Sequence, residues 1–165
     1  QCDLSELNLN IDELFFIEIK KIIDIELNQK EKMIFSRKRH YLKDARILST
    51  NLDYSNLEGN DLRNAELRNT SFKNANLRKA NFSNADLEKV DFTGANLLEA
   101  NFEDSNLRGV NFKNSDLRSA NFEDSDLTSS VFYSAQIEFA SFIDAKMCNT
   151  HFGTKENPKI VFKDC

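Results

Sequence analysis

Few side chains in this chain have the chemistry that catalysis needs. Histidine occurs only at His40 and His151, and the cysteines are Cys2, Cys148 and Cys165. No Ser-His-Asp or Cys-His set can be assembled from them at a natural spacing. The cysteines lack the C-x-x-C spacing of zinc ligands, and no Gly-rich phosphate loop is present. The sequence therefore predicts a protein that is not an enzyme, with no catalytic residues, no cofactor and no metal.

The charged residues limit the classes of partner. The chain has 165 residues, which suits one domain, and a formal net charge of −5. Direct nucleic-acid binding needs a basic surface, so it is not expected. A basic run could touch nucleic acid or an anionic membrane, but such a run is more often the solvated face of a helix. The most apolar stretch, 11–27, is interrupted by charged residues, so no membrane span is predicted. The basic run contains Lys30, Lys32, Arg37, Lys38, Arg39 and Lys43.

A five-residue repeat organises most of the chain. A large apolar residue recurs in phase twenty-two times from Ile47 to Phe152. The residue two before it is usually small, and the one directly before it is usually Asn or Asp. A period of five matches neither an α-helix nor a simple strand, but it suits a short extended segment followed by a corner. Residues that tolerate a positive φ, such as Asn64, Asn84 and Gly94, lie two after the large residue, where a type II corner needs them.

These pentapeptides resemble the pentapeptide-repeat family. Ala-Asn-Leu-Arg-Lys (75–79), Ala-Asn-Phe-Ser-Asn (80–84) and Ala-Asp-Leu-Glu-Lys (85–89) carry the family pattern. The resemblance implies an all-β fold, a right-handed quadrilateral parallel β-helix with four repeats, or twenty residues, in each coil. Twenty-two repeats then make about 5.5 coils, stacked at about 4.8 Å.

The large residues themselves support four sides. From Leu67 to Phe132 they alternate between Leu and Phe without exception. With twenty residues in each coil, the Phe residues fall into two stacked columns on opposite sides, and rings at strand spacing would fill the interior. The first column is Phe72, Phe92, Phe112 and Phe132, and the second is Phe82, Phe102, Phe122 and Phe142.

The ends of such a repeat fold must be covered, because open coils invite edge-to-edge association. We expect three regions: an N-terminal helical cap or insertion over 1–44, with a degenerate repeat at 2–6; the β-helix over 45–152; and a C-terminal capping tail over 153–165. Residues 11–44 show no pentapeptide phase, and Ile160, Val161 and Phe162 would close the last coil after Pro158.

The cysteines leave two alternatives open. Cys148 directly follows the inward Met147, so we expect it to point outward. Cys165 ends a tail that could fold back towards it, and a disulfide between them would pin the C-terminal cap. The other reading is two free thiols in a reducing cytosol. A bridge would fit the thylakoid lumen or the periplasm, where some family members resemble this layout, and free thiols would fit the bacterial cytoplasm.

Charge is concentrated on one predicted side, which we call the acidic face. Its six carboxylates stand against Arg63 alone, whereas the other three sides have net charges of +1, 0 and −1. Like charges in adjacent coils cost stability, so a cationic partner or a bound metal would relieve them. The alternative is a solubilising surface that tolerates the repulsion. The acidic face consists of Asp61, Glu103, Asp104, Glu123, Asp124 and Asp144.

Outward apolar residues are few and gather in the last full coil. Tyr133, Phe139 and Ile143 fall there on three adjacent sides. Together with the C-terminal end they would form an apolar contact surface, unless the tail covers them.

The sequence thus favours a non-catalytic protein–protein interaction or scaffold module that docks on a larger assembly. Its partner is a protein that the sequence does not name, and it could also pair end to end as a homodimer. An alternative comes from the resemblance: quinolone-resistance members of the family mimic DNA and bind type II topoisomerases. The acidic face fits that role loosely, but the repeat runs without the projecting loops that those proteins often have.

Overall fold

A computed structural model describes residues 42–153 and 158–161. The chain has an all-β repeat fold in which each pentapeptide contributes one short bridge. Residues twenty apart pair in parallel, from Arg46 with Glu66 to Asp126 with Lys146. One coil is the twenty-residue stretch between a residue and its ladder partner, so it contains four pentapeptides. The predicted spacing of twenty residues is therefore confirmed.

The backbone hydrogen bonds explain why the period is five. The amide of Leu62 donates to the carbonyl of Asn81 in the next coil at 2.7 Å. The amide of Ala65 donates back to the carbonyl of Leu62 at 3.2 Å, which closes a turn. The third residue of that turn, Asn64, has φ 58°, and the same position in the other repeats is also positive. Gly, Asn and Asp accept this conformation at the lowest cost, as the sequence predicts.

The Asn or Asp before each large residue supports the same turn. The Oδ1 atom of Asn81 accepts a hydrogen bond from the amide of Ser83 at 3.0 Å, and Asp91 does the same for Thr93 at 2.9 Å. A side-chain oxygen that accepts from the amide two residues on fixes the start of a corner.

The large residue at the centre of each pentapeptide, which we call the central residue, fills the interior. Phe82, Phe102 and Phe122 have no exposed surface. The rings of Phe82 and Phe102 stack at 5.0 Å with 2° between their planes. The two Phe columns meet edge to face, as between Phe82 and Phe92 at 5.7 Å and 70°. The two predicted ring columns are confirmed, and they make one continuous core.

The repeat phase begins earlier than the sequence predicts. Leu42 is 7% exposed and belongs to the core, and Asp44 has φ 59°. The amide of Ala45 donates to the carbonyl of Leu42, as in later corners. Leu42 therefore acts as a central residue, although it lies in the segment that appeared to lack the pentapeptide phase. The predicted degenerate repeat at 2–6, and the predicted helical region up to residue 41, lie outside the described residues.

The C-terminal end carries the longer strands. They are β1 (Val131–Tyr133), β2 (His151–Gly153) and β3 (Pro158–Val161), in the order β1-β2-β3. β1 and β2 pair in parallel, one coil apart, whereas β2 and β3 pair antiparallel, with His151 opposite Val161. The chain therefore reverses after β2, and β3 covers the edge that β2 would otherwise leave open.

Candidate interaction surfaces

The structure brings five of the six predicted acidic residues together in consecutive coils. Parallel bridges join Asn81 to Asn101, Asn101 to Asn121 and Asn121 to Ser141, so the acidic residues that follow them share one side. On the inner side of these coils the rings of Phe102 and Phe122 are 5.0 Å apart, and those of Phe122 and Phe142 are 4.9 Å apart. Adjacent coils are therefore separated by about the same distance there. Asp104, Asp124 and Asp144 are exposed, and Glu103 and Glu123 are partly exposed. Their carboxylates have no ion-pair partner among the described residues.

Asp61 lies on the same side but differs in its electrostatics. Its two carboxylate oxygens accept hydrogen bonds from Nε and Nη2 of Arg63, at 2.9 and 2.7 Å. This bidentate contact lowers the pKa of Asp61 below its ordinary value. Asp61 is also two ladder steps away from Asn101. Its charge is therefore compensated, and the uncompensated part of the acidic face is Glu103, Asp104, Glu123, Asp124 and Asp144.

The carboxylates on the other sides are mostly paired. Arg46 contacts Glu66 at 3.0 Å, and Arg78 contacts both Glu58 and Glu99 at 3.3 and 3.5 Å. Further pairs join residues of the same or adjacent coils, and Arg118 holds Asp116 bidentately and lowers the pKa of that carboxyl. Charge is thus balanced locally on the other sides and left unbalanced on the acidic face. These further pairs are Arg68–Asp86, Lys73–Asp91, Lys79–Glu99, Lys89–Glu88 and Lys146–Asp126.

The three predicted apolar contact residues differ in exposure. Phe139 is 92% exposed and Ile143 is 59% exposed. Tyr133 is only partly exposed, because it lies in β1 and its ring meets the ring of His151 edge to face at 6.1 Å. Phe139 and Ile143 are therefore the more exposed members of the predicted apolar contact surface, and Tyr133 belongs mainly to the packing of β1 on β2. Sequence reasoning missed a further aromatic residue, Tyr54, which is 62% exposed at a corner near the other end.

Cys148 is disulfide-bonded. It is 8% exposed, so it is buried rather than facing solvent, although it is not part of the apolar core cluster. Its absence from the core cluster agrees with the expected outward direction, and its low exposure means that other residues cover it. Its predicted partner Cys165 lies outside the described residues, as does Cys2.

Within 42–153 and 158–161, no three His, Cys, Asp or Glu side chains are grouped so that they could hold a metal ion. In the same residues no helix has the length and hydropathy that a membrane span requires. His40 and most of the basic run lie outside the described residues.

The fold and its repeating five-residue corner define a class of all-β repeat proteins. Two sequence models match the chain: "Pentapeptide repeats (8 copies)" over residues 41–78 and "Pentapeptide repeat region" over residues 65–142. The chain belongs to the pentapeptide-repeat family. No curated protein sequence matches it significantly.

Several solved structures are similar to this chain. One is a pentapeptide repeat protein of the Arabidopsis thaliana thylakoid lumen, with 26% identity, a TM-score of 0.46, and coverage of 58% of this chain and 63% of the other. HetL from Nostoc, involved in heterocyst differentiation regulation, has 15% identity, a TM-score of 0.37, and coverage of 76% and 97%. The plasmid-mediated fluoroquinolone resistance protein QnrB1 has 14% identity, a TM-score of 0.29, and coverage of 70% and 75%. The chain thus spans less than two thirds of the lumenal protein's length.

Proposed function

We propose that this chain is a non-catalytic protein–protein interaction module that docks on a cationic surface of a larger assembly through its acidic face. The observation that carries this proposal is the uncompensated set Glu103, Asp104, Glu123, Asp124 and Asp144. Carboxylates in adjacent coils repel one another. A partner with Lys or Arg side chains at matching positions would relieve that repulsion and would be attracted before contact.

The paired charges on the other sides support this choice. Because most other carboxylates already have a cation within reach, they offer little to a partner. The repeat places acidic residues at both outward positions of the coils that contain Phe102 and Phe122, whereas the coil of Phe82 has Ser83 and Asn84 there. The uncompensated carboxylates are therefore confined to one part of this side of the protein, as expected of a docking surface.

Capture from a native extract, with crosslinking and mass spectrometry, tests the proposal. The acidic-face variant replaces Glu103 and Glu123 with Gln and Asp104 and Asp124 with Asn. A matched variant removes four carboxylates from another side, by Glu66→Gln, Asp86→Asn, Glu88→Gln and Asp126→Asn. We expect the wild type and the matched variant to capture the same partner and the acidic-face variant to lose it. Capture of nothing by the wild type, or equal capture by all three, would contradict the proposal.

A DNA mimic that binds a type II topoisomerase is the second candidate, and one observation favours it. The five uncompensated carboxylates span two coil steps, or about 10 Å, which is roughly one charge every 2 Å. Duplex DNA carries one charge per about 1.7 Å of axis. Inhibition of gyrase supercoiling by the purified protein, lost in the acidic-face variant, would support this candidate. Absence of any effect at micromolar protein would remove it.

The finer description of the fold is part of the proposal. We infer a right-handed, four-sided cross-section with about 5.5 coils, an N-terminal helical cap that ends before Leu42, and a capping tail over 153–165, pinned by a disulfide between Cys148 and Cys165. The twenty-residue ladder spacing and the bonded state of Cys148 support it. Peptide mapping under non-reducing conditions tests the pairing, because a Cys2–Cys148 fragment would contradict it.

A further inference from the structure

We draw no further inference here: the strongest candidate, the partly exposed apolar end of the last coil around Phe139, Phe142 and Ile143, carries nothing, because nothing among the described residues shows what covers it.

Discussion

The middle coils and the last coil are built from the same pentapeptide but differ in what that pentapeptide buries. Phe122 in the middle lies between stacked rings at 5.0 and 4.9 Å and has no exposed surface. Phe142, one coil later, stacks on Phe122 and remains partly exposed. Burial in a repeat protein is therefore set by the number of neighbouring coils rather than by the repeat itself. The last coil is where the same pentapeptide keeps part of its apolar surface exposed.

The largest expected effect tests this difference directly. Phe102→Ala should lower the free energy of unfolding by about 3–5 kcal/mol, because it removes a fully buried ring from the middle of a column. Phe142→Ala, the same change in the same column, should cost less than half as much, because its ring is already partly exposed. Equilibrium denaturation in urea measures both. Equal losses would mean that the last coil is as well packed as the middle.

Removal of the disulfide should have the next largest effect. Cys148→Ser should lower the free energy of unfolding by about 2–4 kcal/mol, through the added conformational freedom of the unfolded chain. Thermal unfolding with and without a reducing agent measures the change, and the reducing agent should have no further effect on the variant. Cys165→Ser should match Cys148→Ser if the proposed pairing is correct, and Cys2→Ser should not.

The corners at Gly94 and Gly59 differ in how much space surrounds them, so the same substitution should have different effects on stability. Gly94→Ala should lower the free energy of unfolding by about 1–2 kcal/mol, because the strain of φ +69° is joined by a new Cβ that would lie 2.5 Å from Oδ1 of Asn74, a side-chain end that must shift. Gly59→Ala should cost about 1 kcal/mol, because nothing lies within 4 Å of the new atom and only the positive φ opposes it. Chemical denaturation of the two variants under one set of conditions would detect the difference, and the reverse order would contradict it.

The smallest expected effects come from surface charge. Asp61→Asn should lower the free energy of unfolding by about 0.5 kcal/mol, because it removes the contact with Arg63. Glu123→Gln should raise stability by a few tenths, about 0.3 kcal/mol, by relieving repulsion from Glu103. Both effects should shrink in high salt. If Glu123→Gln destabilised the protein in low salt, the acidic face would not be under repulsion.

The Asp61 contact also has a defined pH dependence. Because its pKa in the folded protein is lowered, the pair stabilises the fold above the ordinary Asp value of 3.8. That contribution is lost as the pH falls through the lowered pKa. Acid titration of stability for the wild type and Asp61→Asn should therefore converge below that range, and curves that stayed parallel would contradict the assignment.

The sequence predicted the interior of this fold well because the interior is periodic. The stacking of Phe82 on Phe102 follows from a twenty-residue coil and the alternation of Leu and Phe. The corner at Asn64 follows from which residues tolerate a positive φ. Leu42 was missed because His40 and Tyr41 before it lack the small residue and the Asn or Asp of later repeats.

The surface was harder to predict because it depends on side-chain geometry. The grouping of Glu103 and Glu123 follows from the repeat alone, but the neutralisation of Asp61 depends on how the Arg63 side chain is oriented. The exposure of Phe142 depends on which coils surround it. The position of a residue within the five-residue period predicts whether its side chain points inward or outward, whereas its exposure depends on the residues around it.

The ladder between residues twenty apart also restricts how the length of this protein can change. Insertion or deletion of twenty residues adds or removes one whole layer and returns every later side chain to the column that it occupied before. A change of five residues keeps the inward phase but shifts all later residues by one column. Glu123 would then no longer lie above Glu103, and the two ring stacks would be interrupted. The length of the chain can therefore vary by single repeats without unfolding it, but only variation by whole layers preserves its surface pattern.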